Sequence, residues 1–237
     1  MSGQSLLLER HEAVMSLIHA AETKANRLPS SVKLLAVSKT FSAQDVLLLS
    51  ATGQRAFGEN YVQEAVDKIR TCADERPDLK LEWHFIGPLQ SNKTKLVADN
   101  FDWMQSVERL KIAQRLSEQR PSHKDPLKIC IQVNVSNEAS KSGCLPHDVV
   151  QLAMEITALP HLQLRGIMAI PEATDDLSKL ASQFELARKA LADIQLALPG
   201  NHQLDTLSMG MSGDLELAIS HGATMVRVGS AIFGRRS

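Results

Sequence analysis

In the stretch Lys33-Leu34-Leu35-Ala36-Val37-Ser38-Lys39-Thr40, four consecutive apolar residues are followed directly by serine and lysine. An apolar run without alternation is typical of a strand that is covered on both faces, as the strands of a parallel sheet are. The next residues, 42–45 (Ser-Ala-Gln-Asp), indicate the start of a helix with Ser42 as its N-cap. The stretch therefore predicts a β-then-α unit with Lys39 at the carboxyl end of its strand.

The predicted position of Lys39 gives this side chain a possible chemical role. In α/β folds, the carboxyl ends of parallel strands are where binding and catalytic groups collect. A lysine that loses solvent there can act as an amine nucleophile toward an aldehyde. The alternative at this point is a solvated lysine that simply follows a strand, since most lysines are exposed.

The same β-then-α pattern continues along the whole chain. An amphipathic helix over residues 4–28 comes first, and strand-like runs follow at 34–37, 55–58, 81–86, 101–107, 127–135, 162–168, 204–208 and 224–229. Eight such units predict one domain, residues 1–237, folded as a single (β/α)8 TIM-type barrel with an N-terminal helix. An open doubly wound sheet is the alternative, but it usually has fewer strands, and no Gly-x-Gly-x-x-Gly follows the first one.

Composition excludes several classes of protein. The chain of 237 residues is 43% hydrophobic, and its 26 basic and 27 acidic residues give a net charge of −1, which is no electrostatic footprint for nucleic acid. Three cysteines without Cys-x-x-Cys spacing argue against a disulfide framework and against a metal site. Residues 1–10 contain no signal peptide or membrane span. We therefore expect a cytoplasmic protein that does not associate with membranes.

A closed barrel would bring the ends of all eight strands to one mouth. The polar or sulfur-bearing side chains expected there are Lys39, Asn60, His84, Ser106, Asn134, Met168, Ser208 and Arg227. Two loops add to this set: residues 208–214 (Ser-Met-Gly-Met-Ser-Gly-Asp) after the seventh strand, and residues 227–234 (Arg-Val-Gly-Ser-Ala-Ile-Phe-Gly) at the eighth. Loops at these two positions commonly form a phosphate site in such barrels. The alternative is ordinary glycine and serine turn chemistry with a helix cap.

A phosphate site beside a lysine on the neighbouring first strand favours a phosphorylated aldehyde as ligand. Pyridoxal 5′-phosphate fits, because the lysine would take the aldehyde as a Schiff base while the loops take the phosphate. Arg227 at the pyridine nitrogen would leave that nitrogen unprotonated and weaken the ring as an electron sink. Arg227 could equally form a buried ion pair or bind phosphate.

Several motifs resemble one known family. They are Leu35-Ala36-Val37-Ser38-Lys39-Thr40, Phe57-Gly58-Glu59-Asn60-Tyr61-Val62-Gln63-Glu64, Trp83-His84-Phe85-Ile86-Gly87-Pro88-Leu89-Gln90-Ser91-Asn92-Lys93, and residues 136–143, 166–171, 208–214 and 226–234. On these, the chain is identified as a member of the pyridoxal phosphate homeostasis proteins, the YggS-type family. The resemblance covers nearly the whole chain. It implies a barrel of the alanine racemase type that carries or regulates the cofactor without established turnover.

The resemblance also implies roles for individual residues. It places pyridoxal 5′-phosphate on Lys39, with Arg227 facing the pyridine nitrogen and Asn60 beside the ring. It assigns the phosphate to Ser208, Gly229 and Ser230, with backbone help from Met209 and Gly210. Lys141 is a candidate second lysine for cofactor hand-over, or else a solvated loop lysine. Gly213 departs from the family pattern, where another residue often precedes Asp214.

Two functional classes follow from these observations. The first is a monomeric carrier, without catalytic residues, that delivers the cofactor to pyridoxal-phosphate-dependent apoenzymes. The second is an amino-acid racemase or isomerase of low activity. Racemases of this fold pair the lysine with a tyrosine of a second domain, whereas the only tyrosine here is Tyr61 and the chain ends at Ser237. The carrier is therefore favoured, although His84 could replace the missing acid or base. A sugar-phosphate enzyme that uses Lys39 for a substrate Schiff base is a third possibility.

Overall fold

The structure, a computed structural model, describes residues 3–136, 138, 141–200 and 203–234. Its strands run parallel and close into one barrel in the order β1 to β8, with β8 paired to β1. The strands are β1 (Lys33–Val37), β2 (Ala56–Glu59), β3 (Glu82–Phe85), β4 (Trp103–Val107), β5 (Leu127–Val133), β6 (Leu162–Ala169), β7 (Thr206–Ser208) and β8 (Met225–Val228). The predicted (β/α)8 barrel is confirmed, and the closed ring excludes the open sheet.

Helices surround the barrel and cover its outer face. They are α1 (Gly3–Lys24), α2 (Ala43–Ser50), α3 (Val62–Glu75), α4 (Thr94–Asn100), α5 (Leu110–Gln119), α6 (Val149–Thr157), α7 (Leu177–Ala197), α8 (Leu215–Ser220) and α9 (Ser230–Phe233). Because these helices cover the sheet, every residue of β4 is buried, and so are Leu34 to Val37 of β1. The unbroken apolar run in β1 thus reflects burial on both faces. Ser42 caps α2 with a capping box that includes Asp45, as the sequence predicts.

The N-terminal helix ends earlier than the sequence predicts. We expected it to extend to residue 28 before Pro29, but α1 ends at Lys24, and Asn26 has a left-handed backbone with φ of 53°. The buried carboxylate of Glu22 then accepts hydrogen bonds from Val32 N at 2.8 Å and Ser30 N at 3.1 Å. The chain is therefore turned by a side chain of the helix itself, directly before β1 begins.

We expect Glu22→Ala to lower the free energy of unfolding by about 2 kcal/mol, because it leaves the buried Val32 N–H without its acceptor. Urea unfolding followed by circular dichroism measures the change. Glu12→Ala, at an exposed position of the same helix, is the control and should stay within about 0.5 kcal/mol of the wild type. Equal values for the two variants would show that Glu22 does not hold this turn.

Candidate functional site

A cavity of about 560 Å³ opens at the carboxyl end of the barrel strands. Its apolar walls are formed by Val37, Phe41, Ile86, Ile170 and Met211. Polar groups reach it from β8 and from the loops after β1, β2, β7 and β8, and they are Lys39, Asn60, Ser212, Gly213, Arg227, Gly229 and Ser230. An apolar cavity with a few convergent polar groups is the usual form of a small-molecule site.

Lys39 lies two residues beyond the end of β1 and is half-buried. Behind it the chain turns sharply: Phe41 N donates to Ser38 O at 3.0 Å, and Thr40 has a left-handed φ of 69°. Phe41 stacks on Phe233, with ring centroids 4.9 Å apart. This contact ties the loop that carries Lys39 to the segment that follows β8.

Arg227 is buried and held by carbonyl groups of two neighbouring strands. Its Nη1 donates to Ser208 O at 2.8 Å and to Ser208 Oγ at 3.0 Å, while Nη2 donates to Ala169 O at 3.0 Å. Burial lowers the pKa of the guanidinium to about 10, and the carboxylate of Asp214 acts in the opposite direction. The group is therefore still a cation at neutral pH, fixed in position before any ligand arrives.

In the loop after β7, the residues that line the cavity lie further along the chain than the sequence predicts. Ser208, Met209 and Gly210 are buried and do not line the cavity, whereas Ser212 and Gly213 do. Ser208 Oγ donates to Gln105 Oε1 at 2.7 Å inside the barrel. Gly210 has φ of 94°, and a Cβ there would lie 2.6 Å from Ala218 Cβ, so the chain turns against α8 at this point. The turn brings the following residues to the cavity instead.

Three polar groups of the cavity wall, one on a side chain and two on the backbone, are available to a ligand. Asn60 Oδ1 is buried and has no hydrogen-bond partner among the described residues. Over the same ranges the backbone amides of Ser212 and Gly213 also lack partners. A buried polar atom without a partner in a folded protein calls for an explanation, such as an unseen ligand or water.

Other side chains expected at the mouth lie elsewhere. His84 is fully buried, its Nε2 is 2.9 Å from Glu82 Oε1, and its ring stacks on Trp103 at 4.9 Å. It does not line the cavity, and burial lowers its pKa. The expectation that His84 lies at the mouth is therefore wrong. Three further side chains expected at the mouth do not line the cavity either: Ser106, Asn134 and Met168.

Lys141 does not line the cavity either. Its Nζ lies 3.2 Å from Glu138 Oε1 in the segment that follows β5. Residues 137, 139 and 140 of this segment lie outside the described residues. Lys141 is thus engaged with a neighbouring carboxylate.

Neither a membrane-spanning helix nor a cluster of metal ligands occurs in the part of the chain that the structure describes. Within the residues that the structure describes, no helix is both long and apolar enough to cross a bilayer. Over those ranges, no three His, Cys, Asp or Glu side chains are grouped so as to hold a metal ion.

Known sequences resemble this chain over nearly its whole length. Residues 15–237 match the family described as alanine racemase, N-terminal domain. The chain is 55% identical over 219 residues to the pyridoxal phosphate homeostasis protein of Pasteurella multocida, covering 92% of this chain and 93% of that one. It is 50% identical over 226 residues to the protein of the same name from Escherichia coli, covering 94% of each.

Several solved structures also superpose on nearly the whole chain. A Bifidobacterium adolescentis protein of unknown function superposes with a TM-score of 0.92 at 33% identity, covering 98% of this chain and 96% of that one. PipY of Synechococcus elongatus, with pyridoxal phosphate bound, gives 0.81 at 36% identity, covering 96% and 100%. Alanine racemase of Corynebacterium glutamicum gives 0.69 at 17% identity, covering 95% and 62%, a likeness of fold alone.

Proposed function

Because this chain belongs to the pyridoxal phosphate homeostasis proteins, a family built on the alanine racemase N-terminal domain, we propose that it binds pyridoxal 5′-phosphate as a Schiff base on Lys39 and buffers or delivers that cofactor inside the cell. The observation that carries the proposal is the shared cavity: a lysine, a fixed cation and a pair of small-residue loops meet in one space.

The residues of the cavity fit this ligand. A volume of about 560 Å³ lies within the usual range for small-molecule sites. The available amides of Ser212 and Gly213 suit a phosphate group, and the Ser230 hydroxyl lines the same cavity. Asn60 Oδ1, buried without a partner, would accept a hydrogen bond from a ligand beside it. These groups match an aromatic aldehyde that bears a phosphate.

The phosphate would be held by the loops after β7 and β8. Of the residues assigned to it from the sequence, Gly229 and Ser230 stay in the proposal, joined by Ser212 and Gly213. We propose that Ser208 acts indirectly, by positioning Arg227, because its carbonyl and hydroxyl oxygens both accept hydrogen bonds from that guanidinium. Met209 and Gly210 are proposed to shape the turn that brings residue 212 to the cavity.

Lys39 would supply the amine. As the neutral amine, Nζ would bond the aldehyde carbon of the ligand, and the aldehyde oxygen would leave as water with the two amine hydrogens. Arg227, a donor without an acceptor lone pair, would point an N–H at the pyridine nitrogen. A nitrogen that only accepts from arginine stays unprotonated, so the ring withdraws electrons weakly.

The competing function is an amino-acid racemase. Moving a proton between two faces requires a second acid or base opposite the lysine. Among the described residues that line the cavity, Lys39 and Arg227 are the titratable ones. Tyr61 is 51% exposed and His84 is buried inside the barrel, and neither lines the cavity. These placements support the carrier over the racemase.

The predicted partners extend this proposal. We infer that the recipients are apoenzymes that depend on pyridoxal phosphate, and that the carrier acts as a monomer. We also infer that Lys141 can receive the cofactor as it leaves the cavity, once the ion pair of Lys141 with Glu138 opens. Sedimentation analysis tests the monomer, and transfer of label to an added apoenzyme tests the hand-over.

The visible absorption spectrum of the purified protein, before and after borohydride, tests the central proposal. We expect a yellow band that disappears on reduction, and a pyridoxyl mass on the peptide that contains Lys39. A protein that stays colourless when pyridoxal 5′-phosphate is added would refute the proposed function.

A further inference from the structure

A buried network of charged side chains lies directly behind the loop that carries Lys39. Its members are Glu59, the last residue of β2, and Glu64 and Lys68 on the first turns of α3. Lys68 Nζ lies 2.7 Å from Glu59 Oε1 and 3.1 Å from Glu64 Oε1. The side chains of Lys68 and Glu59 are 4% and 0% exposed, so the ammonium and one carboxylate are withdrawn from water.

The network forms hydrogen bonds to the backbone on both sides of Lys39. On one side, Lys68 Nζ donates to Ser38 O at 2.7 Å, and Ser38 Oγ donates to Glu59 Oε1 at 2.7 Å. On the other side, Thr40 N donates to Glu64 Oε1 at 2.6 Å. Beyond the network itself, these side chains bond Ser38 and Thr40, the two neighbours of Lys39 in the chain. Residues 38 and 40 are thus anchored to one rigid helix and one strand.

Stability alone does not account for this arrangement. A buried ion pair is often no more stabilising than well-packed apolar residues of the same volume. Burial raises the pKa of Glu59, although Lys68 acts against this, and Glu59 Oε2 has no hydrogen-bond partner among the described residues. Thr40 is held in a left-handed conformation that side chains other than glycine adopt at an energetic cost. Both features are unfavourable for folding, and both lie beside Lys39 in the structure.

We propose that Glu59, Glu64 and Lys68 act as positioning residues for Lys39, holding its loop in the conformation in which the amine can bond an aldehyde in the cavity. This inference rests on the proposed function and deepens it. The Glu64 carboxylate contacts Thr40 and Lys68, neither of which lines the cavity, so its removal would affect the covalent bond and leave the ring and phosphate contacts unchanged. That separation makes the proposal testable.

Glu64→Ala is the test variant, because Glu64 is the partly exposed member of the network and its loss leaves the buried pair intact. Glu75→Ala is the matched control: Glu75 lies on the same helix and accepts from Gln44 Nε2 at 3.2 Å, away from Lys39. Two ligands are compared by calorimetry. Pyridoxal 5′-phosphate can bond Lys39, whereas pyridoxine 5′-phosphate has the same ring and phosphate but an alcohol in place of the aldehyde.

We expect Glu64→Ala to weaken pyridoxal 5′-phosphate about tenfold and pyridoxine 5′-phosphate by less than about twofold, a contrast that a general loosening of the fold would not produce. Glu75→Ala should change neither ligand. Adding Lys39→Ala to Glu64→Ala should remove the contrast. An equal loss for both ligands, or no loss for either, overturns the positioning role while the wild type still forms its visible band. A wild type without that band overturns the proposed function and this inference with it.

Discussion

Lys39→Ala is expected to abolish the visible band and to weaken pyridoxal 5′-phosphate binding about a hundredfold, equivalent to about 2.8 kcal/mol. The covalent bond is lost, while Arg227, Ser212 and Ser230 keep their places around the cavity. Some affinity for the ring and the phosphate should therefore remain. Calorimetry measures the change in affinity, and absorption spectroscopy measures loss of the band.

The control for this variant comes from the same strand. Lys33 is exposed and lies at the opposite end of β1. Lys33→Ala should leave the band and the affinity unchanged, and both variants should unfold within about 0.5 kcal/mol of the wild type because neither side chain is fully buried. If the band persists in Lys39→Ala, another lysine forms the bond, and a pyridoxyl mass on the Lys141 peptide would identify it.

Sequence reasoning located the barrel and the elements around its mouth because strand order and strand ends follow from local patterns. Apolar runs and turn residues recur along the chain, and closure then places the ends of β1, β2 and β8 side by side. For that reason the sequence alone groups Lys39, Asn60, Arg227, Gly229 and Ser230, and all five line one cavity in the structure.

The directions of individual side chains could not be obtained in this way. Polar and apolar residues alternate over Glu82–Phe85, yet Trp83, His84 and Phe85 are all buried, so the alternation does not show which side chain reaches the mouth. Ser208 was assigned to the phosphate, but it bonds Gln105, which is 103 positions away in sequence. The contact between Thr40 and Glu64 is likewise long-range, across 24 positions. Such pairings are decided by tertiary packing.

A glycine inside a strand is a further signal in the sequence, at Gly166 of β6. An isolated glycine in a strand pattern indicates a bulge or a close approach of two backbones. Gly166 shows both. The pairing of β5 with β6 shifts register at this point, so that Arg165 is an extra residue between the partners of Ile129 and Cys130. Arg165 can then pair with Asp205 and lie over the Trp103 ring at 5.1 Å.

Gly166→Ala is expected to lower the free energy of unfolding by about 4 kcal/mol or more, the size of effect reserved for severe steric conflict. Gly166 has φ of 153°, and a Cβ there would lie 1.9 Å from Thr206 O, a backbone atom of the paired strand β7. Neither atom can move away without breaking the pairing of β6 with β7. Chemical unfolding followed by circular dichroism measures the loss.

A second glycine variant separates the clash from the backbone strain. Gly53 also has a positive φ, of 94°, but a Cβ there would meet no atom within 4 Å. Gly53→Ala should therefore lower stability by only about 1 kcal/mol, the contribution of strain alone. Equal losses in the two variants would show that the approach of Thr206 is not what requires glycine at 166. If Gly166→Ala folds at low temperature, its affinity for pyridoxal 5′-phosphate should also fall, because β6 and β7 supply the carbonyls of Ala169 and Ser208 that hold Arg227.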